Sequence, residues 1–369
     1  MKKILPIVVS IAILSIFTIS IWYVSHRMSI MNSLTQRWPL RIGVAIFFIT
    51  SLVALSLGAQ SESTTIGIIN TVGGYMFSFF VFLMIVLLGL HAMQFIGIQP
   101  NQLVSWFAIG LAFIITTTGA LWANSFRVSE IEIPLEGLKQ DVVAMHISDV
   151  HIGHQRGKDY LEKIVKETNE RNPDMVLITG DLVDANAALL PDILSPLKDF
   201  HAPVYFVGGN HENYIDTERA FGMIEKYNVN ILQNEAVEIH GINLVGLSYM
   251  NPDDNTFDMH PSDDKRTIEN VLPTIVINDH KPSVLMHHSP VGAQYVSEKG
   301  IDLMLSGHTH GGQMFPSTLF APFIFPFNKG LYNEGDTKVF VSQGAGTFGP
   351  RIRLGNSNEI NLIRLKAIH

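Results

Sequence analysis

The chain has 369 residues, a formal net charge of −8 and no cysteine, which excludes a disulfide framework and thiolate metal ligands. Residues 1–124 hold five of the 25 Lys and Arg and one of the 33 Asp and Glu, so residues 125–369 hold 20 basic against 32 acidic side chains. This acidic balance argues against a surface that tracks nucleic-acid phosphates, because such a surface needs a row of basic side chains.

Four apolar segments in residues 1–124 reach or approach the roughly 20 residues that a helix needs to cross a bilayer. They cover residues 4–24, 40–58, 67–90 and 103–123, and we predict a membrane region with about four transmembrane helices. Apart from Arg41 at the start of the second segment, no Asp, Glu, Lys or Arg lies inside these segments. Because ionisable groups at membrane depth usually line transport pathways, their absence favours an anchor over a transporter.

The basic residues near the first apolar segment leave the orientation of the chain open. Lys2 and Lys3 favour a cytoplasmic N terminus, and four spans then leave the following domain in the cytoplasm. Arg27, Arg37 and Arg41 favour a first loop on the inside, which puts that domain outside. In either orientation, we expect a multi-pass protein of the plasma membrane.

Short β-branched runs alternate with helical patterns from residue 141 to residue 369, which predicts an α/β domain joined to the membrane region by a linker at residues 125–140. The predicted amphipathic helix covers residues 159–171. The predicted strands cover residues 142–147, 175–179, 204–207, 244–247, 284–286, 303–306, 339–342 and 360–365.

Polar clusters directly follow five of these predicted strands. They are Asp149 and His151, Gly180-Asp181 with Asp184, Asn210-His211-Glu212, His287-His288 with Pro290, and Gly307-His308-Thr309-His310. Sites in open α/β sheets form at the carboxyl ends of strands, so we expect these side chains to meet. Gly180 lets the backbone turn tightly and brings Asp181 towards the same point.

The residue types in these clusters suit divalent metal ions. Mn, Fe and Zn accept mixed imidazole and carboxylate ligands. A carboxylate that bridges two ions holds them about 3.5–4 Å apart, the spacing at which one centre can activate water and bind phosphoryl oxygens. The neutral amide of Asn210 adds an oxygen ligand without adding charge, which keeps the site attractive to a phosphate.

In order and spacing, the five clusters resemble the calcineurin-like metallophosphoesterase superfamily over about residues 130–369. The Gly-His-Thr-His-Gly-Gly-Gln run and the tail from residue 341 to residue 365 resemble its bacterial membrane-linked or exported members. The resemblance implies a four-layer α-β-β-α sandwich with two divalent ions, and slightly favours an exterior domain. It implies ligands as follows: Asp149, His151 and His310 for one ion, Asn210, His288 and His308 for the other, and Asp181 bridging both.

The resemblance also implies that His211 does not bind metal but faces the leaving group as a general acid or charge stabiliser. The family often has Asp after this His, whereas Glu212 stands here, and its longer carboxylate can still orient the imidazole of His211. His288 is preferred over His287 as ligand, because Pro290 lies two positions after it and side chains alternate at a strand end. Asp184 is expected to orient a ligand rather than to bind metal.

The segment at residues 314–327 is apolar and contains three prolines, which we take to exclude a regular helix or a central strand. One interpretation is a loop packed on its own domain. The other is a lip beside the metals that touches lipid, which would suit a lipid-linked substrate.

These features together predict a membrane-anchored phosphoesterase that hydrolyses a phosphomonoester or phosphodiester, including lipid-linked ones, with a metal-activated water. Two alternatives are a cytoplasmic nucleotide or cyclic-nucleotide phosphodiesterase and a non-catalytic binding module on the same fold. The second is disfavoured because all seven ligand positions are filled. The sequence does not determine the oligomeric state.

Overall fold

A computed structural model describes residues 5–97, 99–256, 260, 262 and 264–368, with the side chains of residues 5–10 excepted. Within these residues the chain forms two compact units. The helical unit comprises the residues up to Leu57, Ile68–Leu121 and Gly349–Ile352. The α/β unit comprises Gly58–Gly67, Trp122–Phe348 and the residues from Arg353 onwards.

Four helices of the first part are long and apolar enough to cross a membrane, as predicted. They are α1 (Leu5–Met31), α2 (Trp38–Ser56), α3 (Thr64–Ala92) and α4 (Gln102–Trp122). Small side chains allow close packing in this unit: a Cβ added to Gly73 would lie 2.5 Å from Cβ of Ala54. A row of small residues on α4 is buried, comprising Ser105, Ala108, Ala112, Thr116 and Gly119.

The expectation that no charged residue other than Arg41 lies inside a span is wrong for Arg27. Helix α1 runs to Met31 rather than ending near residue 24, so Arg27 falls within it and its side chain is buried. The physical reason is that the segment after residue 24 has no helix-breaking Pro or Gly, and the helix therefore continues past the end of the most apolar run.

Two six-stranded mixed sheets form the centre of the α/β unit among the residues described. The first has the order β1 (Phe126–Leu135), β12 (Asn358–Ala367), β2 (Val142–Ile147), β3 (Met175–Thr179), β4 (Val204–Val207), β5 (Val229–Ile231). The second has the order β10 (Gly330–Glu334), β11 (Thr337–Val341), β9 (Leu303–Ser306), β8 (Ser283–Met286), β7 (Ile242–Gly246), β6 (Glu235–Ile239). Strands β2 to β5 are mutually parallel, as are β7, β8, β9 and β11.

Strand alternation divides the apolar side chains among three cores. Val142 and Ala144 of β2 lie in the core between the two sheets, whereas Met145 and Ile147 lie in the core on the outer face of the first sheet. The outer cores are covered by α5 (Lys158–Asn169) and α6 (Thr217–Glu225) on one sheet and by α7 (Ile268–Val271) and α8 (Ala293–Glu298) on the other. The predicted α-β-β-α sandwich is therefore confirmed.

The expectation of a linker at residues 125–140 is wrong for most of that segment. Phe126–Leu135 is strand β1, which pairs in parallel with β12 at the edge of the first sheet. Its Ile133 and Leu135 are buried in the core between the sheets. Exposed residues fill the alternate positions, namely Glu130, Glu132 and Pro134, and this two-residue period is what an edge strand with one buried face requires.

The segment at residues 314–327 contains a helix, contrary to the expectation from its prolines. Helix α9 (Ser317–Ile324) begins after Pro316 and ends before Pro326, so that only Pro322 lies inside it. In a helix of eight residues, one proline removes a single backbone hydrogen bond, and the remaining turn still forms.

Candidate metal centre

The polar clusters come together at the carboxyl ends of β2, β3, β4, β8 and β9. Asp149 and His151 follow β2, Asp181 follows β3, and the other clusters follow the remaining three strands in the same way. Their side chains converge in two adjoining groups, and Asp181 lies between them. The long-range meeting expected from strand polarity is thus what the structure shows.

The first group consists of Asp149, His151 and His310. Nε2 of His151 lies 3.1 Å from Nε2 of His310, which in turn lies 3.2 Å from Oδ1 of Asp149. Nε2 of His151 lies 3.8 Å from Oδ2 of Asp181. All four side chains are buried, and their donor atoms face one point.

The second group consists of Asn210, His288 and His308 with the same Asp181. Nε2 of His288 lies 3.1 Å from Oδ2 of Asp181 and 3.2 Å from Nδ1 of His308. Oδ1 of Asn210 lies 3.1 Å from Nδ1 of His308. The amide oxygen of Asn210 therefore faces the group, since Nδ2 is directed to the hydroxyl of Tyr214 at 3.2 Å.

These atoms fit two metal ions. Metal–nitrogen and metal–oxygen bonds of about 2.0–2.2 Å place two ligands of one ion about 3.0–3.6 Å apart. Five of the contacts are of that size, at 3.1–3.2 Å, and the distance from His151 to Asp181 is slightly longer, at 3.8 Å. Facing lone pairs of His151 and His310 at 3.1 Å need a proton or a cation between them. Asp149, Asp181 and His288 also meet the geometric requirement for a metal site. Two dications would exceed the two carboxylate charges and leave the centre positive.

The backbone at this centre is held in a conformation that ordinary side chains rarely adopt. Five of the gathered residues have φ in the left-handed region: Asp149 (54°), His151 (54°), Asp181 (52°), His308 (70°) and His310 (50°). Such conformations cost about 1–3 kcal/mol each and persist where the surrounding structure enforces them. The fold is therefore strained in order to aim these donors inwards.

Two glycines allow the loops to approach each other. Gly180 has φ of 81°, and a Cβ there would lie 2.7 Å from Nδ1 of His288. A Cβ on Gly307 would lie 1.8 Å from Oγ of Ser148 and 2.2 Å from Oδ2 of Asp149. Neither position can carry a side chain without moving a candidate ligand, so the tight turn expected at Gly180 is confirmed.

The two neighbouring histidines that follow β8 point in opposite directions. Nδ1 of His288 lies 2.8 Å from the carbonyl oxygen of Thr179, which fixes that nitrogen as the donor and leaves Nε2 for the metal position. Nδ1 of His287 lies 2.7 Å from the carbonyl oxygen of Ser289, and its ring stacks on Tyr249. The structure thus brings His288 into the second group and places His287 outside it.

The charges in the centre follow from burial and from these neighbours. Burial lowers the pKa of His308 to about 3, so its ring is neutral and has a lone pair for a cation. Burial alone would lower the pKa of His288 as well, but the Asp181 carboxylate raises it to about 10. Burial would raise the pKa of Asp181, yet His288 and His211 hold it well below its usual range. Without metal, His288 and Asp181 therefore form a buried ion pair.

His211 lies beside the two groups. Its Nε2 is 3.9 Å from Oδ2 of Asp181, and its partly exposed ring packs edge-on against His151. Asp184 lies on the same side, with Oδ2 at 3.7 Å from Nδ1 of His151, and burial raises the pKa of Asp184 to about 8. His151, Asp184 and His211 also satisfy the distance requirement for a metal site, so the geometry leaves either role open to Asp184.

Glu212 does not orient the imidazole of His211, contrary to expectation. Its buried carboxylate accepts hydrogen bonds from three backbone N–H groups: Oε2 from Gly209 at 2.7 Å and Asp181 at 3.0 Å, and Oε1 from Val183 at 3.0 Å. The reason is geometric, since Glu212 begins a short helical turn that directs its side chain under the loops. It joins the loop after β3 to the loop after β4, and burial raises its pKa to about 7.

Arg353 is a buried residue that the sequence does not distinguish from other basic residues. It donates hydrogen bonds to the carbonyl oxygens of His310 at 2.8 Å, Gln343 at 2.6 Å and Gly346 at 2.8 Å. Its Nε donates to Oδ1 of Asn358 at 2.6 Å. The guanidinium thereby fixes the backbone of His310, and only the fold reveals its burial.

Aromatic rings border both groups. Phe348 packs 5.0 Å from the ring of His310. The side-chain amide of Gln313 holds the backbone of Phe348 by two hydrogen bonds of 3.0 Å: Nε2 donates to the carbonyl oxygen of Phe348, and Oε1 accepts from its N–H. Phe325, directly after α9, packs 6.0 Å from the ring of His308. The centre therefore combines a polar floor with apolar walls.

The sequence of the α/β unit matches a known family. The model of the calcineurin-like phosphoesterase family covers residues 143–312. A metallophosphoesterase of Helicobacter pylori strain J99 is 33% identical over 282 residues, 74% of this chain and 74% of that protein. A Bos taurus transmembrane protein with a metallophosphoesterase domain is 32% identical over 280 residues, 70% of this chain and 62% of that protein.

The chain spans 63% of the length of a further relative, a metallophosphoesterase of Campylobacter jejuni. Among solved structures, a dimetal phosphatase from Danio rerio is similar, with a TM-score of 0.33 and 13% identity over 55% of this chain and 87% of that chain.

A two-sheet α/β sandwich with imidazole, carboxylate and amide groups at its strand ends defines a metal-dependent hydrolase. The chain belongs to the calcineurin-like phosphoesterase family, so its α/β unit is a phosphoester hydrolase domain.

Proposed function

We propose that this chain is a membrane-anchored phosphoesterase that hydrolyses a phosphomonoester or phosphodiester with two divalent ions, Mn, Fe or Zn. One observation carries the proposal: five strand-end loops bring seven donor side chains into two adjoining groups that share Asp181. The proposed division of the chain is a membrane region at residues 1–124 and a catalytic domain from residue 125 onwards, which includes strand β1.

Each residue of the centre has a role in this proposal. Asp149, His151 and His310 hold one ion, and Asp181 bridges it to the second. The second ion is held by Asn210, His288 and His308. When bound, the two ions supply Lewis-acid activation of a water molecule and neutralise phosphoryl charge.

His211 acts on the leaving group in this proposal. Its partly exposed ring lies at the rim of the centre, and the backbone N–H of His211 donates to Oδ1 of Asp181 at 2.9 Å. This contact ties the position of the imidazole to the bridging carboxylate. From there the ring can hold a proton for, or stabilise charge on, the departing oxygen.

The four apolar helices anchor the domain and place it on one face. With four spans, the residues after α4 lie on the same face as the connection between α2 and α3. That connection, Gly58–Gly67, belongs to the α/β unit, where the backbone N–H of Asn186 donates to the carbonyl oxygen of Ala59 at 2.7 Å. The basic residues leave that face open, with three arginines in favour of an exterior domain and two N-terminal lysines in favour of a cytoplasmic one. The resemblance to exported phosphoesterases favours the exterior of the plasma membrane, and this is the orientation that we propose.

Hydrolysis of bis-p-nitrophenyl phosphate and p-nitrophenyl phosphate by the full chain in detergent tests the proposal. We expect turnover with added Mn, none with chelator, and loss with Asp181→Asn. A chain that binds no metal and shows no turnover would refute it. The preferred ester distinguishes monoesterase from diesterase, and a reporter fused to residue 369 reads the membrane face.

A nucleotide phosphodiesterase is the second candidate, and one feature favours it. A polar cavity of about 310 Å³ lies next to Gly209, lined among others by Phe221, Tyr249 and Arg266. A ring system could stack there and a phosphate could approach the guanidinium. Faster turnover of cyclic or linear nucleotides than of lipid phosphoesters would favour this reading.

A further inference from the structure

Helix α9 carries an apolar surface that no described part of the α/β unit covers. Its exposed large apolar side chains are Phe323 (88%), Leu319 (57%), Phe320 (57%) and Ile324 (52%), whereas Ala321 alone on this helix is buried. No charged residue occurs from residue 314 to residue 328. We call these four exposed side chains the α9 patch.

The α9 patch is large for a water-exposed surface. A phenylalanine side chain offers about 150–250 Å², so two of them with Leu319 and Ile324 expose roughly 400 Å² together. The largest contiguous apolar patch on a soluble monomer is typically about 300–600 Å² and is often functional, so the α9 patch has the size of a contact surface.

The α9 patch is also next to the metal centre. The chain passes from His310 through the Gly311-Gly312 turn directly into α9. Phe325 follows the helix and packs 6.0 Å from the ring of His308. The hydroxyl of Thr309 donates to the carbonyl oxygen of Asn328 at 2.5 Å, which ties the far end of the segment back to the ligand loop.

The segment that connects helix α4 to the α/β unit is very short. Only residues 123–125 separate α4 from β1, and they are not free: Nδ2 of the buried Asn358 donates to the carbonyl oxygens of Ala123 and Ser125, both at 2.9 Å. Nη2 of the buried Arg156 donates to Ala123 as well, at 2.8 Å. A bilayer crossed by α4 would therefore lie within a few residues of the catalytic unit.

The connection between α2 and α3 is also short and hydrogen-bonded to the α/β unit. Between α2 and α3, Glu62 pairs with Arg219 of α6 at 2.5 Å, and the carbonyl oxygen of Gln60 accepts a hydrogen bond from Nδ2 of Asn186 at 3.1 Å. Both connections between the apolar helices and this unit are short and hydrogen-bonded, so that few residues separate the unit from a bilayer crossed by those helices. The bilayer is therefore the apolar partner that we infer for the α9 patch.

We propose that the α9 patch inserts into the bilayer interface and that the substrate is a phosphoester carried by a membrane lipid. The patch receives the acyl part and the metal centre receives the phosphate, as in the lateral docking of an interfacial helix. Hydrolysis forms a bond between a water oxygen and phosphorus, breaks the bond from phosphorus to the leaving oxygen, and transfers one proton of water to that oxygen. This inference rests on the proposed function and names its substrate class.

Site-directed spin labelling tests the insertion directly, because the chain has no native cysteine. Phe323→Cys is compared with Val276→Cys, a control that is equally exposed at 88% and precedes β8, at the opposite end of the strand from His288. Each labelled full chain is placed singly in a lipid nanodisc. We expect the label at position 323 to collide with oxygen in lipid and to be shielded from an aqueous nickel chelate, with the reverse at position 276.

Equal access of the nickel chelate to both labels would overturn the insertion. A label at position 323 that is shielded only when two copies share a nanodisc would overturn it too, because the partner would then be a second copy of the chain. Neither outcome depends on catalysis.

Turnover tests the substrate class separately. The variant Phe320→Ser/Phe323→Ser and the control Val276→Ser are assayed on bis-p-nitrophenyl phosphate and on phosphatidic acid or phosphatidylglycerol in vesicles. We expect the double variant to lower the ratio of lipid to soluble turnover at least tenfold and the control to leave it unchanged. An unchanged ratio in the double variant, or no lipid turnover by an unsubstituted chain that hydrolyses the soluble ester, would refute the lipid substrate. Loss of soluble turnover in the unsubstituted, metal-loaded chain would instead count against the proposed function.

Discussion

Replacing Arg353 with Lys keeps the positive charge but removes the fork of the guanidinium. In the structure, Arg353 makes four hydrogen bonds of 2.6–2.8 Å, to the carbonyl oxygens of His310, Gln343 and Gly346 and to Oδ1 of Asn358. The side chain is fully buried, and burial lowers its pKa to about 9. A lysine there has one nitrogen for four separate acceptors and loses its charge more readily on burial.

The expected loss of stability follows from counting the acceptors. The carbonyl oxygen of His310 keeps a second donor, Nδ2 of Asn356 at 2.7 Å, but the other three acceptors cannot all be reached from a single ammonium. Each buried group left without a partner costs about 1–3 kcal/mol, so Arg353→Lys should cost roughly 2–4 kcal/mol. For a unit of this size that corresponds to a fall in Tm of about 5–10 °C.

The functional effect should appear at His310. Residues that fix a metal ligand typically contribute about 10–100-fold to metal affinity, so we expect the first ion to bind weaker by that factor while the second is retained. Calorimetric titration with Mn and thermal unfolding of the metal-free full chain in the same detergent measure the two effects.

The matched control is Arg364→Lys. Arg364 is partly exposed and lies 3.4 Å from Glu130, an ion pair at the surface that contributes about 0–1 kcal/mol. If Arg353→Lys changes Tm and metal affinity no more than Arg364→Lys does, then the guanidinium network does not hold His310 and the reasoning is refuted.

Three further predictions concern the centre itself. His211→Ala should keep both ions yet slow esters with alkyl leaving groups about 10²–10⁴-fold, and p-nitrophenyl esters less, because p-nitrophenolate needs little protonation; an equal loss for both esters would contradict a role on the leaving group. Glu212→Gln replaces one carboxylate oxygen by an NH₂ group, which then faces the backbone N–H of Gly209 or Val183. Thermal unfolding should show a loss of stability of about 1–3 kcal/mol for this variant and no change for the control Glu225→Gln, whose side chain is exposed. The pKa of His288 is raised to about 10, so in the metal-free chain its proton is held below that pH and must leave when metal binds. Mn affinity should therefore rise with pH by about tenfold per unit between pH 7 and 9, with one proton released per chain in calorimetry across buffers, and a flat profile would contradict the ion pair with Asp181.

The placement of the centre was predictable because its signals are local. Each candidate ligand directly follows a short apolar run, and the polarity of parallel strands requires such positions to meet at one edge of a sheet. The choice of His288 over His287 used the same two-residue alternation, and the structure directs the two rings to opposite sides. The roles of these residues in binding metal stay predictions. Four apolar helices were equally predictable, since a bilayer-spanning length is a property of a contiguous segment.

The features that only the tertiary structure revealed depend on contacts between residues that are distant in sequence. Strand β1 was mistaken for a linker because an edge strand needs its partner, and β12 lies more than 200 residues away. Glu212 was assigned to the wrong neighbour because three backbone N–H groups from two loops outcompete one imidazole, and their convergence has no sequence pattern. The burial of Arg353 could not be predicted, because nothing in the neighbouring sequence distinguishes a buried arginine from an exposed one. Local composition determined which side chains could bind metal; the packing of distant loops decided what holds them in place.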